Sequence, residues 1–208
     1  AVTPATRAIL ISNPNNPTGT AIGLDAIETI LKAAPGAAVL IDEAYFEFFG
    51  ATALPLIDAY QNLFVSRTFS KAFGMAAMRV GCLFSQEENV RYTRKAQSPY
   101  SVNMLAAWAV RAAVEDAAYM DEYVSNALEA RALIYEGFRN RGIRHYESQA
   151  NFVLFHAGEK SGAVRDGLRD RGVLVRDRSY EIPGTVRVTA GTPDQTRRFF
   201  EAFDEVWK

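Results

Sequence analysis

The stretch Val39-Leu40-Ile41-Asp42-Glu43-Ala44-Tyr45 decides the fold. The apolar run from Ala37 to Ile41 has the length of a buried strand and stops at an acidic pair. Upstream, Leu24, Ile27, Ile30 and Leu31 recur at helical spacing through Ala34, and Pro35-Gly36 ends that pattern. Before it, Ala8 to Ile11 is another apolar run of strand length. Strand, helix and strand make a βαβ unit, which predicts parallel pairing. Ligands of parallel sheets gather beyond the carboxyl ends of the strands. Asp42 stands at such an end, where an aspartate can also serve simply as a turn or helix cap.

The next stretch downstream is Val65-Ser-Arg-Thr-Phe-Ser-Lys-Ala-Phe-Gly-Met-Ala-Ala-Met-Arg-Val-Gly81. Leu63, Phe64 and Val65 read as a third buried strand. Ser66, Thr68, Ser70 and Lys71 follow it, and Arg79 opens the apolar run Val80 to Phe84. Hydroxyls and an arginine beside strand ends suit a phosphate. A lysine placed there can form a Schiff base with a carbonyl, and burial that lowers its pKa makes it a better nucleophile. Taken alone, a lysine after a strand is more often solvated.

Composition narrows the classes. The 208 residues are 49% hydrophobic and 23% charged, ample for a core. Lys and Arg number 23 against 24 Asp and Glu, a net charge of -1, which favours neither nucleic acid nor an anionic membrane as partner. No apolar run approaches the roughly 20 residues needed to span a bilayer, and the opening residues show no signal pattern. A cytoplasmic protein is the expectation. Cys82 is the only cysteine, which excludes a disulfide framework or a thiolate metal site, and its apolar neighbours predict burial. With only His145 and His156, a His-rich metal centre is not expected.

The loop Ser12-Asn-Pro-Asn-Asn-Pro-Thr-Gly19 ends the first strand; its prolines and glycine cannot continue sheet or helix and restrict Asn16. This loop, the Asp42 stretch and the Lys71 stretch together resemble the pyridoxal-phosphate (PLP) aminotransferases of the aspartate aminotransferase fold, and within them histidinol-phosphate aminotransferase. The likeness runs over essentially the whole chain. It implies an α/β PLP-dependent transferase fold: part of a large domain with a mainly parallel sheet at 1–120, and a small C-terminal α+β domain at 121–208. It further implies that Lys71 carries PLP and that Asp42 keeps the pyridine nitrogen protonated. Asn16 and Tyr45 would bond the ring hydroxyl oxygen, and Arg79 with Ser70 and Thr68 would bind the phosphate. Glu43 has no role by resemblance and reads as structural.

The remainder reads as follows. Met104 to Phe138 is largely helix-forming, with Trp108, Tyr119, Met120, Tyr123, Leu128 and Leu133 as core candidates. Ile143 to Tyr146, Phe152 to Phe155, Val173 to Val175 and Val186 to Thr189 read as strands. Gly162 to Arg171 and Pro193 to Trp207 read as helices. Arg187, on a strand otherwise made of β-formers, calls for an anionic partner, because arginine forks match carboxylate or phosphate. By resemblance it binds the substrate anion. Arg176 matches a second arginine associated with the histidinol phosphate group, although pairing with Asp177 would equally explain it. Asn151 matches a position near the substrate, and Arg178 reads as solvated.

The resemblance thus implies transamination of histidinol phosphate and 2-oxoglutarate to imidazole-acetol phosphate and glutamate, by a homodimer. Family members carry a substantial portion before the Asn-Pro-Asn-Asn-Pro-Thr-Gly loop that this sequence lacks, and that portion contributes to the cofactor pocket. Strand edges left open by its absence predict self-association or an added partner. The alternatives are an aromatic amino acid aminotransferase, a relative of threonine-phosphate decarboxylase, or a non-catalytic remnant acting as a binding or assembly module.

Overall fold

A computed structural model describes residues 2–208. They form two compact units, one of residues 2–14 and 21–120, the other of residues 15–20 and 121–208.

The first unit contains β1 (Ala8–Ser12), α1 (Leu24–Ala33), β2 (Ala38–Asp42), the single turn α2 (Phe46–Phe49), β3 (Leu63–Thr68) and β4 (Gly81–Phe84), followed by α3 (Glu87–Ala96) and α4 (Met104–Glu115). The sheet order is β1-β2-β3-β4. The first three strands are parallel, as the βαβ pattern predicts, and β4 runs antiparallel to β3. Val39 and Ile41 of β2 and Leu63 and Val65 of β3 are fully buried beneath Ile27 and Leu31 of α1. The apolar stripe of α1 is therefore what holds the helix on the sheet. Parallel register sets Asp42, the last residue of β2, beside Ser66 of β3, so the two strands bring a carboxylate and a hydroxyl to one level.

The edge strand departs from expectation. All four residues of β4 are exposed, Cys82 among them, so the apolar run is not a core strand and the thiol is not buried. An alternating or continuous apolar pattern cannot tell a covered edge from an open one.

The second unit holds most of α5 (Ala117–Asn140), then β5 (Phe152–His156), α6 (Ser161–Asp170), β6 (Arg176–Asp177), β7 (Thr185–Thr189) and α7 (Pro193–Val206). Its antiparallel sheet has the order β5-β7-β6. Phe138 of α5 sits at the centre of the core, with its ring centroid 4.6 Å from that of Phe155. Phe199, Phe200 and Phe203 of α7 close round it. Gly137 lets the Phe200 ring come that close: a Cβ there would lie 2.1 Å from the ring.

Several expectations are corrected. The helical region from Met104 is interrupted at Asp116. Trp108 and Tyr119 are 64% and 61% exposed and lie outside the core. Ile143 to Tyr146 contributes only an isolated bridge from His145 to Phe155. The strand expected at Val173 to Val175 forms instead at Arg176–Asp177, because within 173–177 these two residues are the ones that pair with β7.

Candidate functional site

In the first unit the polar ends of β2 and β3 and the loop after β3 surround an open cavity of about 440 Å³. Asp42, Ser66, Thr68, Ser70 and Arg79 line it, with Arg67 and Cys82. The Ser66 hydroxyl donates to Asp42 Oδ1 at 2.9 Å, fixing the carboxylate. Asn13 N–H donates to the Asp42 carbonyl at 2.8 Å, and Glu43 N–H to that of Ser66 at 2.8 Å, locking the backbone beneath. Ser66, read from the sequence as one of several hydroxyls suited to a phosphate, bonds Asp42 instead; the signal for that pairing is the parallel register, which puts the two residues opposite each other.

Thr68 and Ser70 are joined through the Ser70 N–H, which donates to Thr68 Oγ1 at 3.1 Å. This leaves the Ser70 hydroxyl for a ligand. Arg79 has φ of 58°, and no other non-glycine residue described has a positive φ. That left-handed geometry is costly for a side chain and clusters at functional positions. It ends a short 3-10 turn, Ala76–Met78, and the guanidinium donates to the Ala76 carbonyl at 2.9 Å. Arg79 is exposed and free to accept an anion on its remaining N–H groups.

Lys71 follows Ser70 directly, and its carbonyl accepts from Gly74 N–H at 2.9 Å in a tight turn. The ammonium lies 5.5 Å from the centroid of the Tyr45 ring, which is itself buried. Among the described residues no carboxylate pairs with Lys71. The neighbouring charges are consumed elsewhere: Glu43, 1% exposed, takes Arg67 at 3.0 Å, the Thr52 hydroxyl at 2.8 Å and Ala53 N–H at 2.6 Å. Glu43 is thus structural, as read from sequence. Burial pushes the nearby Glu47 carboxyl above its ordinary range.

The other four expected residues lie in the second unit. Asn16, in a loop cross-braced by Asn15 Nδ2 donating to Thr18 Oγ1 at 2.8 Å, presents its amide oxygen to two arginines. Arg178 donates to it at 2.9 Å, and Arg187 donates to the same atom. Arg187 also stands over the Phe152 ring, 4.5 Å from its centroid. Arg178 is therefore not solvated: its side chain is 14% exposed and pairs with Glu181 at 3.2 Å. Nothing local in Asp177-Arg178-Ser179 signals this, because its amide partner is 162 residues away.

Arg176 lies directly across from Arg187 in the β6–β7 register. It is exposed, and its suspected partner Asp177 faces Arg165 instead, at 3.6 Å. Ser179 hydrogen bonds, the hydroxyl first, hold the Asp177 carboxyl below the usual range. Asn151 is placed by its backbone, with its carbonyl accepting from Ala190 N–H at 2.8 Å. The preceding turn is clamped by Tyr135, whose hydroxyl donates to Ser148 O at 2.9 Å and accepts from Ser148 N–H at 2.6 Å.

Among the described residues no cluster of three or more His, Cys, Asp or Glu side chains is placed to hold a metal ion. No helix among them is long and apolar enough to cross a membrane.

Residues 1–203 match the sequence profile of aminotransferase class I and II. A histidinol-phosphate aminotransferase of Geobacillus is 35% identical over the whole chain, which covers 59% of that protein. One from Symbiobacterium thermophilum is 40% identical over 94% of the chain and 55% of its own length. The chain therefore spans between half and two-thirds of the length of these relatives. Among solved structures, histidinol-phosphate aminotransferase from Clostridium acetobutylicum superposes with a TM-score of 0.87 at 28% identity, over 96% of this chain and 64% of its own. The Sinorhizobium meliloti enzyme, in complex with pyridoxal-5'-phosphate, does so with 0.86 at 25%, over 96% and 57%. With the parallel sheet, the strand-end cavity and a profile match over almost its full length, the chain belongs to the aminotransferase class I and II family.

Proposed function

We propose that the polypeptide works as a PLP-dependent aminotransferase of the histidinol-phosphate type. The observation that carries this reading is the donor set at the strand ends. A serine-anchored carboxylate, two hydroxyl residues and a left-handed arginine surround one cavity, and a lysine without a carboxylate partner follows Ser70. This set fits PLP, which offers a phosphate, a basic ring nitrogen, a ring oxygen and an aldehyde.

In this reading Arg79, Ser70 and Thr68 hold the phosphate through charge-assisted hydrogen bonds. Asp42, steadied by Ser66, holds a proton on the ring nitrogen. Tyr45 and Asn16 bond the ring oxygen. When bound, the cofactor supplies an electron sink for charge developing at the substrate α-carbon. Lys71 would anchor the cofactor, and its amine would serve as the base that carries the α-carbon proton. Arg187 and Arg176 bind the anionic end of the substrate, and Asn151 lies close to it. The amino group passes from histidinol phosphate to 2-oxoglutarate. Residues 1–120 then belong to a cofactor-binding large domain and 121–208 to a small domain, in a cytoplasmic homodimer.

The test is a visible absorption spectrum of the chain with added PLP, beside Lys71→Ala. A yellow band in the wild type alone supports the reading, and transamination assays with histidinol phosphate then probe the substrate. The absence of any Lys71-dependent band overturns it for this chain.

A further inference from the structure

Arg178 has no role in the reading above, yet it is one of the most firmly held cations in the second unit. Its N–H donates to Thr185 O, and its carbonyl accepts from Glu181 and Ile182 N–H, each at 2.9 Å. Its guanidinium is held by Glu181 at 3.2 Å and by the Tyr180 hydroxyl. The remaining terminal nitrogen, Nη2, donates to Asn16 Oδ1 at 2.9 Å. A surface arginine that merely paired with Glu181 would have no reason to hold that second contact under 14% exposure.

We propose that Arg178 is a positioning residue for Asn16. An asparagine amide has an accepting end and a donating end, exchanged by a half-turn of the side chain, and the partners choose between them. Guanidinium groups only donate. Two of them converging on one atom admit the oxygen and exclude the NH2 group, whichever way the amide would otherwise turn. Arg187 alone leaves the amide pinned from one side; Arg178 pins it from a second. The Nδ2–H2 group is then presented as a fixed donor. Its consequence for the cofactor rests on the assignment of Asn16 to the PLP ring oxygen, whereas the orientation itself does not.

The test begins with the ligand-free chain, labelled with ¹⁵N-asparagine. The Asn16 side-chain signals are identified by their loss in Asn16→Asp. Donors on the oxygen stiffen the C–N bond, so Arg178→Gln should shift these signals and speed interconversion of the two Nδ2 protons severalfold. Arg178→Lys, which keeps the charge without the fork, should fall between the two, and Arg197→Gln on α7 should change nothing. Asn16 signals in Arg178→Gln identical to wild type overturn the proposal. With PLP added, the pH midpoint of the Lys71-dependent band should move the same way in Arg178→Gln and Asn16→Ala, and no further in the double variant. Altered Asn16 signals with a midpoint that Asn16→Ala leaves in place support the positioning and overturn the cofactor role of Asn16 instead.

Discussion

Asp42 and Glu43 are adjacent carboxylates with opposite fates. Glu43 is saturated by an arginine, a hydroxyl and a backbone N–H in the interior, whereas Asp42 accepts only the Ser66 hydroxyl from a side chain and faces the cavity. The alternation of β2 separates them: it carries one residue past the strand's end, where Glu43 N–H still bonds Ser66 O, and successive side chains leave on opposite faces. The Arg67 guanidinium, which lines the same cavity, is engaged by Glu43, and among the described residues no ion pair involves Asp42. Arg67 lies over the Phe46 ring at 3.5 Å as well, so its stem and head are both packed. Arg67→Met keeps the stem but strands a buried carboxylate, which costs about 3 kcal/mol. Urea denaturation should show the midpoint fall with the slope unchanged. A loss under about 1 kcal/mol would mean that Glu43 is satisfied without its arginine.

At the scale of elements, α7 shows how a local signal becomes a stable helix. Thr192 Oγ1 accepts from Gln195 N–H at 3.3 Å, and Gln195 Oε1 accepts from Thr192 N–H at 3.0 Å, a reciprocal capping box with Pro193 in the first turn. Gly191 makes room for it, since a Cβ there would lie 2.0 Å from Gln195 Oε1. Thr192→Ala should cost about 1 kcal/mol, measured by thermal or urea unfolding. A loss within error would show that α7 is held by Phe199 and Phe203 alone. Elements of this kind were legible in the sequence because their signals are local: the stripe of α1, the run of β2, the pattern from Pro193 that gives α7. What was not legible depended on partners far along the chain. β6 is set by its pairing with β7, the exposure of Cys82 by what flanks β4, and the burial of Arg178 by an asparagine 162 residues away. The candidate site divides the same way. Asp42, Lys71 and Arg79 stand out by strand-end position, while the pairing of Ser66 with Asp42 emerges only from register.

At the scale of the whole chain, the apolar surface is distributed unevenly. Met104, Leu105 and Trp108 follow helical spacing along α4 and are 66%, 69% and 64% exposed, and Leu83 and Phe84 lie exposed on the edge strand β4. Single exposed hydrophobics are ordinary, but a helical stripe that carries a large indole marks a surface that another surface covers. The edge strand adds unpaired backbone groups, which favour further association. The chain should therefore self-associate, with a sedimentation coefficient that rises across the micromolar range. Leu105→Glu with Trp108→Glu should lower the association constant at least tenfold while leaving the core of the first unit, to which α4 belongs, intact, because a charge on the stripe must be desolvated on contact. That tenfold is a modest expectation, equivalent to about 1.4 kcal/mol. A wild-type chain that sediments as a monomer at every concentration would show that this stripe is tolerated in water, and the homodimer reading would lose its physical support.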